Sequence, residues 1–315
     1  MIIDALNMYY RAYIVDPSLS SNGQPIGGIK GFLKILQKLC RETKPDQVAV
    51  IWDGGSSRRR SKNKGYKEGR KPIRLNRAIR NLSENEELQN KMWQQARLVE
   101  YLNMMPISQI LIDNLEADDI IGALMHLNSL SGVQKVIVSA DKDFIQLCNN
   151  EDVVLYRPVQ KEVLNEKRIV EQYGIHPNNF AMARAICGDK SDNLHGVGNV
   201  GLKTVSKRFP FLSESESHGL EKIVAECKTA EQKLKVYENI LENQDLIKKN
   251  YSLMQLYTPS ISVNAKNTIR NAVDELEYSL NKTKVRAMMI EDGFGAYDWS
   301  DLFLTCQRII ADNRR

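Results

Sequence analysis

Glu116-Ala117-Asp118-Asp119 opens a stretch that continues through Ile120, Ile121, Leu124, Met125 and Leu127 and closes on Val136-Ile137-Val138-Ser139-Ala140-Asp141-Lys142-Asp143. Five carboxylates fall within these 28 residues, each group at the border of a strongly hydrophobic element. Glu116 and Asp118 cannot share a helix face, because two residues are about 200° of helical rotation. They suit a strand exit bending into a first helical turn, where acids meet free amides and the helix dipole. Asp141 and Asp143 point to one side if the exit from the Val136–Val138 strand stays extended. Carboxylates that converge in this way repel one another unless cations neutralise them. Oxygen-only ligands without Cys or His select a hard cation, Mg²⁺ or Mn²⁺. Singly, an Asp-Asp pair opening a helix is capping and an Asp-x-Asp after a strand is a loop. A metal centre therefore requires further acids at similar strand ends.

Working outward, such acids recur. Residues 1–4 read as a short apolar strand ending at Asp4, and Asn7–Tyr13 as a loop or short helix. Gly27-Gly28 precedes a helical run through Phe32, Leu33, Ile35, Leu36 and Leu39 that Pro45 ends. Val48–Trp52 is a second continuous apolar strand, stopping at Asp53-Gly54-Gly55. Continuous apolar strands separated by helices are the pattern of a buried parallel sheet. Open parallel sheets carry their sites at the carboxyl ends of the strands, where Asp4 and Asp53 fall. Residues 107–112 resume the strand series and lead into Glu116. Beyond Asp143 the pattern gives a strand at Val153–Tyr156, a hairpin through Val159–Leu164, a helix to Tyr173 and another from Pro177 to about Cys187. From Ser213 onward it is helical, charged and poor in motifs, with Pro259 as the break.

Between Arg58 and Arg80 stand eleven Lys or Arg and one acid, Glu68. That bias is too one-sided for salt-bridge lacing and marks an electrostatic footprint for phosphates. Arg58 and Arg59 open it as candidate DNA contacts. Lys67 and Arg70, three apart, share a face if helical, and Tyr66 offers a plane on which a base could stack. Leu75, Ile79 and Leu82, then Leu88, Met92, Ala96 and Val99, continue at helical spacing. A second candidate contact is Gly188–Thr204, where Asp189 and Asp192 precede Gly196, Gly198, Gly201, Lys203 and Thr204. The three glycines make a tight hairpin whose amides can face a phosphate, with a positive φ expected at Gly198. It is not a Walker A loop, because Leu202 separates Gly201 from Lys203.

Composition fits such a role. The chain has 315 residues, 42% hydrophobic and 26% charged, with a net charge of +5. That is room for one large or two modest domains. The apolar runs fall short of the roughly 18 residues that a transmembrane helix needs. Met1 leads directly into the first strand, with no signal-peptide pattern. The five cysteines are widely spaced without a CxxC pair, and the four histidines lack ligand spacing. Reduced thiols in a cytoplasmic protein are therefore expected.

Taken in order, Ile3-Asp4, Trp52-Asp53-Gly54, Glu116–Asp119, Asp141-Lys142-Asp143 and Gly188–Asn193 resemble the motifs of the 5′-nuclease (flap endonuclease) superfamily, in its stand-alone bacteriophage and bacterial branch. Ala5 and His195 depart from the family's common Gly and Pro without removing an acid. The resemblance covers about residues 1–210. It implies an α/β fold, a PIN-like three-layer parallel sheet core (residues 1–180) with a basic helical arch at about 58–105. An appended helical region (181–315) would begin with a helix–three-turn–helix at about 187–210. It implies one metal among Asp4, Asp53, Glu116 and Asp118 and a second among Asp141, Asp143 and Asp189, with Asp119 and Asp192 close by or acting through water. Lys67 and Arg70 would stabilise charge on the scissile phosphate, and a K⁺ would sit on carbonyls of the glycine hairpin. The expected substrates are DNA with a 5′ flap, a nick or an RNA primer. The enzyme is expected to act as a separate, monomeric polypeptide in the cytoplasm (the host's, if phage-encoded), alongside replication proteins such as single-strand-binding protein. Two rivals are a PIN-type ribonuclease and a non-catalytic branched-DNA binder. The Gly196–Thr204 hairpin argues against the first, and the complete acid set against the second.

Overall fold

The computed structural model describes residues 1–55, 58–79, 82–232, 234–257, 259 and 261–313, with the backbone alone for Arg58, Lys62 and Arg77. In chain order the first half reads β1 (Ile2–Asp4), α1 (Ala5–Val15), α2 (Gly27–Thr43), β2 (Ala49–Trp52), α3 (Arg58–Lys62), α4 (Glu84–Asn103), β3 (Ser108–Leu111), α5 (Ala117–Leu124), β4 (Lys135–Val138), β5 (Val153–Arg157) and β6 (Glu162–Leu164). Helices follow: α6 (Glu166–Tyr173), α7 (Pro177–Cys187), α8 (Leu202–Arg208), α9 (Leu220–Thr229), α10 (Lys235–Glu242), α11 (Gln244–Met254), α12 (Val263–Asp274), α13 (Lys282–Glu291) and α14 (Ser300–Asp312). No described helix is long and apolar enough to cross a membrane. The chain is mixed α/β, and it forms two compact units interleaved in sequence. One comprises Met1–Asp53, Lys71–Ile112 and Asn267–Arg315; the other comprises Gly54–Arg70 and Asp113–Lys266.

The first unit is built on three parallel strands. β1 pairs with β2 (Ile2 opposite Ala49, Asp4 opposite Ile51), and β2 pairs with β3 (Ala49 opposite Ser108). β1 and β2 are buried along their whole length, as their unbroken apolar runs require. α2 buries Ile29, Phe32, Leu33, Leu36, Leu39 and Cys40, one helical stripe. It crosses α1 closely: a Cβ at Gly28 would lie 2.7 Å from the Tyr9 ring and one at Gly31 3.0 Å from the Ala12 Cβ. Lys44 closes the helix in the left-handed region, just before Pro45. α4 begins with a capping box between Ser83 and Glu86, and its buried Gln94 accepts from the Ile29 amide and donates to the Pro25 carbonyl. The C-terminal helices return here: Gln37 of α2 donates to Asp298 and accepts from the Leu302 amide. Asp292 receives the Tyr101 hydroxyl at 2.7 Å and Arg97 at 2.8 Å. A motif-poor sequence thus completes the N-terminal unit through contacts nearly 200 residues apart or more.

In the second unit β4 runs parallel to β5, and β6 returns antiparallel (Leu155 opposite Leu164). α7 packs against α11 and against a 3₁₀ turn at Asp143–Leu147. The buried Asn250 of α11 donates to the carbonyls of Ala185 and His195, which ties the glycine hairpin to the helical core.

Of two local readings, Asn7–Tyr13 resolves as helix and the other changes. Residues 5–15 are helical throughout. The helical spacing of Leu75, Ile79 and Leu82 does not yield a helix: residues 70–76 lack helical structure and only Arg77–Ile79 form a 3₁₀ turn. Pro72 accounts for the lack of helix up to its own position, since it disfavours helix at its predecessor and supplies no amide donor. Leu75 is buried, its amide donating to the carboxylate of Glu87.

Candidate active site

In the first unit, parallel pairing brings Asp4 and Asp53 to the carboxyl ends of neighbouring strands. Asp4 ends β1 and caps α1, its carboxylate accepting from the Asn7 amide at 3.2 Å. Asp53 follows β2 and is half-buried. Burial raises the Tyr10 hydroxyl pKa, and the charge of Asp53 adds to it.

In the second unit, Glu116 is extended and Asp118 and Asp119 occupy the first turn of α5, as the two-residue spacing dictates. Glu116 caps no amide. One of its oxygens instead accepts from Arg59 (2.7 Å), Lys67 Nζ (2.7 Å) and the Tyr66 hydroxyl (3.1 Å). Arg59 also reaches Asp119 at 2.8 Å and Asp118 at 3.4 Å. Burial works against its charge, but these carboxylates raise its pKa. Burial raises the Asp119 carboxyl, with Arg59 opposing. Lys67 is half-buried, and although burial works against its charge, Asp118, Glu116 and Asp192 together keep its ammonium above the usual range.

The exit from β4 is a turn. Asp141 accepts from the Asp143 amide at 2.9 Å, and Asp143 starts the 3₁₀ turn. This Asx-type closure replaces the expected extended exit. Burial, then the charge of Asp143, pushes the Asp141 carboxyl up to about 6; burial raises Asp143 as well. Arg184 of α7 bridges Asp143 (3.0 Å) to Asp189. For Asp189 burial is outweighed by Ser191, whose hydroxyl donates at 2.6 Å and amide at 2.7 Å, and by Arg184, so its pKa is lowered. Arg70 pairs with Asp192 and donates to the Ser191 carbonyl. Lys67 has a left-handed backbone (φ 57°), and its amide donates to the Asp192 carbonyl at 2.9 Å. The basic segment and the Gly188–Asn193 loop are therefore tied together, although Lys67 and Arg70 share no helix face and serve different acids.

Three residues differ from the sequence reading. Tyr66 is 3% exposed, so its ring is a core element that positions Glu116 and offers no open plane for a base. Arg59 is 8% exposed among three carboxylates and is not a peripheral phosphate contact. Gly198 has no positive φ; Asn199 (φ 59°) and Gly188 (φ 72°) do. The side chain of Arg58 lies outside the described residues. Sequence reasoning missed Arg184, for which a lone Arg four residues before Gly188 gave no signal.

The glycine hairpin is closed by a bridge between Asp189 and Leu194. A Cβ at Gly196 would lie 2.0 Å from the Cys187 carbonyl oxygen, and one at Gly188 2.3 Å from the Gly196 amide. Val197 and Val200 are buried, while Gly198, Gly201 and Lys203 face solvent and Thr204 is half-buried. Among the described residues, nothing lies within 4 Å of a Cβ at Gly198 or Gly201.

Residues 1–174 match the model of the 5′-3′ exonuclease, N-terminal resolvase-like domain. A 5′-3′ exonuclease of Buchnera aphidicola (from Acyrthosiphon pisum) is 30% identical over 287 residues, covering 90% of this chain and 86% of its own length. The chain belongs to the 5′-3′ exonuclease family. Caldicellulosiruptor bescii DNA polymerase I is 31% identical over 232 residues, 71% of this chain but 26% of the polymerase. Among solved structures, the bacteriophage T5 5′-exonuclease with zinc ions aligns at a TM-score of 0.68 and 18% identity, over 88% of this chain and 99% of the T5 chain. The bacteriophage T5 flap endonuclease complexed with DNA and metal ions aligns at 0.65 and 18%, over 93% and 97%. These likenesses establish the fold of a 5′-3′ exonuclease for this chain.

Proposed function

We propose that the chain is a divalent-metal-dependent, structure-specific 5′→3′ nuclease, hydrolysing phosphodiesters at 5′ flaps, nicks and RNA primers on DNA during replication. The observation that carries this reading is the second unit's oxygen-only set, in which Glu116 and Asp143 are buried and Asp118, Asp119, Asp141 and Asp189 are half-buried, with Lys67 anchored among its acids. The donor chemistry fits a hard cation, and burial opposes the charges of Asp141 and Asp143, which a cation would relieve. The proposed ligands are Asp4 and Asp53 in the first unit, with Glu116, Asp118, Asp119, Asp141, Asp143, Asp189 and Asp192 in the second. These carboxylates would hold two Mg²⁺ or Mn²⁺, whose chemistry when bound would be to activate water and stabilise the leaving oxygen.

The chain's own residues do the remaining work. Glu116 holds Lys67 in place, so its ammonium can donate to the scissile phosphate as charge builds there. Arg70, oriented by Asp192 and Ser191, is the second such donor. Arg59 and Arg184 fix the carboxylates. The solvent-facing backbone at Gly198 and Gly201, in the hairpin that Gly196 closes and with Lys203 and Thr204, contacts duplex phosphates, and the hairpin's carbonyls would hold K⁺. In functional terms the nuclease core is residues 1–180 with the basic arch at about 58–105, followed over 181–315 by a helix–three-turn–helix at about 187–210 and a helical C-terminal region. The enzyme works as a cytoplasmic monomer beside single-strand-binding protein. A 5′-flap, a nicked duplex and an RNA–DNA duplex assayed side by side with Mg²⁺ test the reading: release of the flap near its junction is expected, and cleavage of single-stranded RNA alone would favour the PIN-type ribonuclease.

A further inference from the structure

A second group of metal-type ligands lies outside the acid centre, in the loop between α8 and α9. One oxygen each from Glu214 and Glu216 and one imidazole nitrogen from His218 lie within 4.8 Å of one another. The imidazole supplies the independent signal. Its side chain is only 10% exposed, and its buried Nε2 has no hydrogen-bond partner among the described residues. The Glu214 carboxylate is 4.0 Å away, beyond hydrogen-bonding reach. Leaving such a buried atom unsatisfied costs stability, which a ligand would recover.

The loop is also built to hold this geometry. Asn179 of α7, fully buried, donates to the carbonyls of Leu212, Glu214 and Glu216 at 3.2, 3.0 and 2.8 Å, and accepts from the His218 amide at 2.8 Å. The ring of Phe211 meets the imidazole edge-on at 5.1 Å and fixes its plane. We propose that Glu214, Glu216 and His218 bind Zn²⁺ at a site separate from the nuclease carboxylates, clamping this loop to α7. One imidazole nitrogen and two carboxylate oxygens suit a borderline cation, whereas the oxygen-only acids suit Mg²⁺. Ligand atoms on tetrahedral Zn²⁺ sit about 3.4 Å apart at bonds of about 2.0–2.1 Å. The exposed glutamates close that gap by side-chain rotation, and water takes the fourth position.

The test uses the full chain with Ca²⁺ saturating the oxygen-only sites and Zn²⁺ added, followed by calorimetry and by the histidine ring resonances. One Zn²⁺ should bind, shifting the His218 resonance. The paired variant Glu214→Gln/Glu216→Gln, on exposed side chains that folding does not need, should weaken binding at least tenfold and leave flap cleavage in Mg²⁺ unchanged. His218→Gln should weaken it as much. Absence of Zn²⁺ binding over Ca²⁺, undiminished binding by the paired variant, or a shift confined to His126, His176 or His195 would overturn the proposal. Each of these readouts is independent of nuclease activity.

Discussion

Arg59→Gln removes a guanidinium that reaches Glu116 at 2.7 Å, Asp119 at 2.8 Å and Asp118 at 3.4 Å. The group is 8% exposed, so solvent does little to replace it. Breaking a buried pair by deleting one partner costs about 3–5 kcal/mol, because the remaining charge is stranded. Lys67 and Tyr66 still serve Glu116, which places the expected loss near the lower end, about 3 kcal/mol. The stranded carboxylates then titrate higher in the folded protein. The loss should therefore be largest at neutral pH and shrink as falling pH protonates them. Urea unfolding in EDTA, followed by far-ultraviolet circular dichroism at pH 7 and pH 5, measures this. Adding Mg²⁺ should restore most of the loss if these acids are metal ligands, since an ion that binds only the folded state stabilises it. A loss below about 1 kcal/mol, or one indifferent to both pH and Mg²⁺, would refute the counter-ion role.

Lys67→Ala should lower the single-turnover rate on a 5′-flap by about 100-fold or more at saturating enzyme; rescue by more enzyme or less salt would make Lys67 a mere attractor of DNA. With the Asp141 carboxyl pushed up to about 6, its ionisation opposes folding. The Asp141 contribution to metal-free stability should thus fall by on the order of 2 kcal/mol as pH rises from about 4 to 6, so Asp141→Asn should gain about that much on the wild type over this range in urea titrations. Gly196→Ala should destabilise by about 2 kcal/mol or more, because its methyl group meets a carbonyl at 2.0 Å. Gly198→Val should leave stability within about 0.5 kcal/mol yet weaken binding to nicked duplex; unchanged affinity would move the duplex contact elsewhere.

Much of the architecture was legible because it rests on local signals. Apolar runs ending at Asp4 and Asp53 announce parallel strands, and the spacing of Glu116 and Asp118 announces a strand-to-helix bend. Pro177 and Cys187 bound their helix as read. What was hidden is what long-range packing decides. A run of eleven cations reveals charge but not burial, so Arg59 and Tyr66 read as surface contacts although both turn inward to Glu116. The turn at Asp141 depends on a side chain accepting a backbone amide two residues on, which alternation in a strand cannot show. In the hairpin the close approach that demands glycine falls at Gly188 and Gly196, on a crossing of loop segments invisible in the spacing of the three glycines. The motif-poor C-terminal segment joins the first unit through bonds of Leu302 to Gln37 and of Asp292 to Tyr101 and Arg97, which no local spacing could show.

The most direct measurement compares wild type with Asp141→Asn on a 5′-labelled flap, reading cleavage and binding in parallel with Mg²⁺ or EDTA. The wild type should release the flap only with Mg²⁺. Asp141→Asn should bind DNA at least as tightly, having lost a negative charge facing phosphate, and cut none of it. Cleavage by the wild type in EDTA, or full activity of Asp141→Asn at moderate Mg²⁺, would contradict a nuclease that works through metal held by these carboxylates.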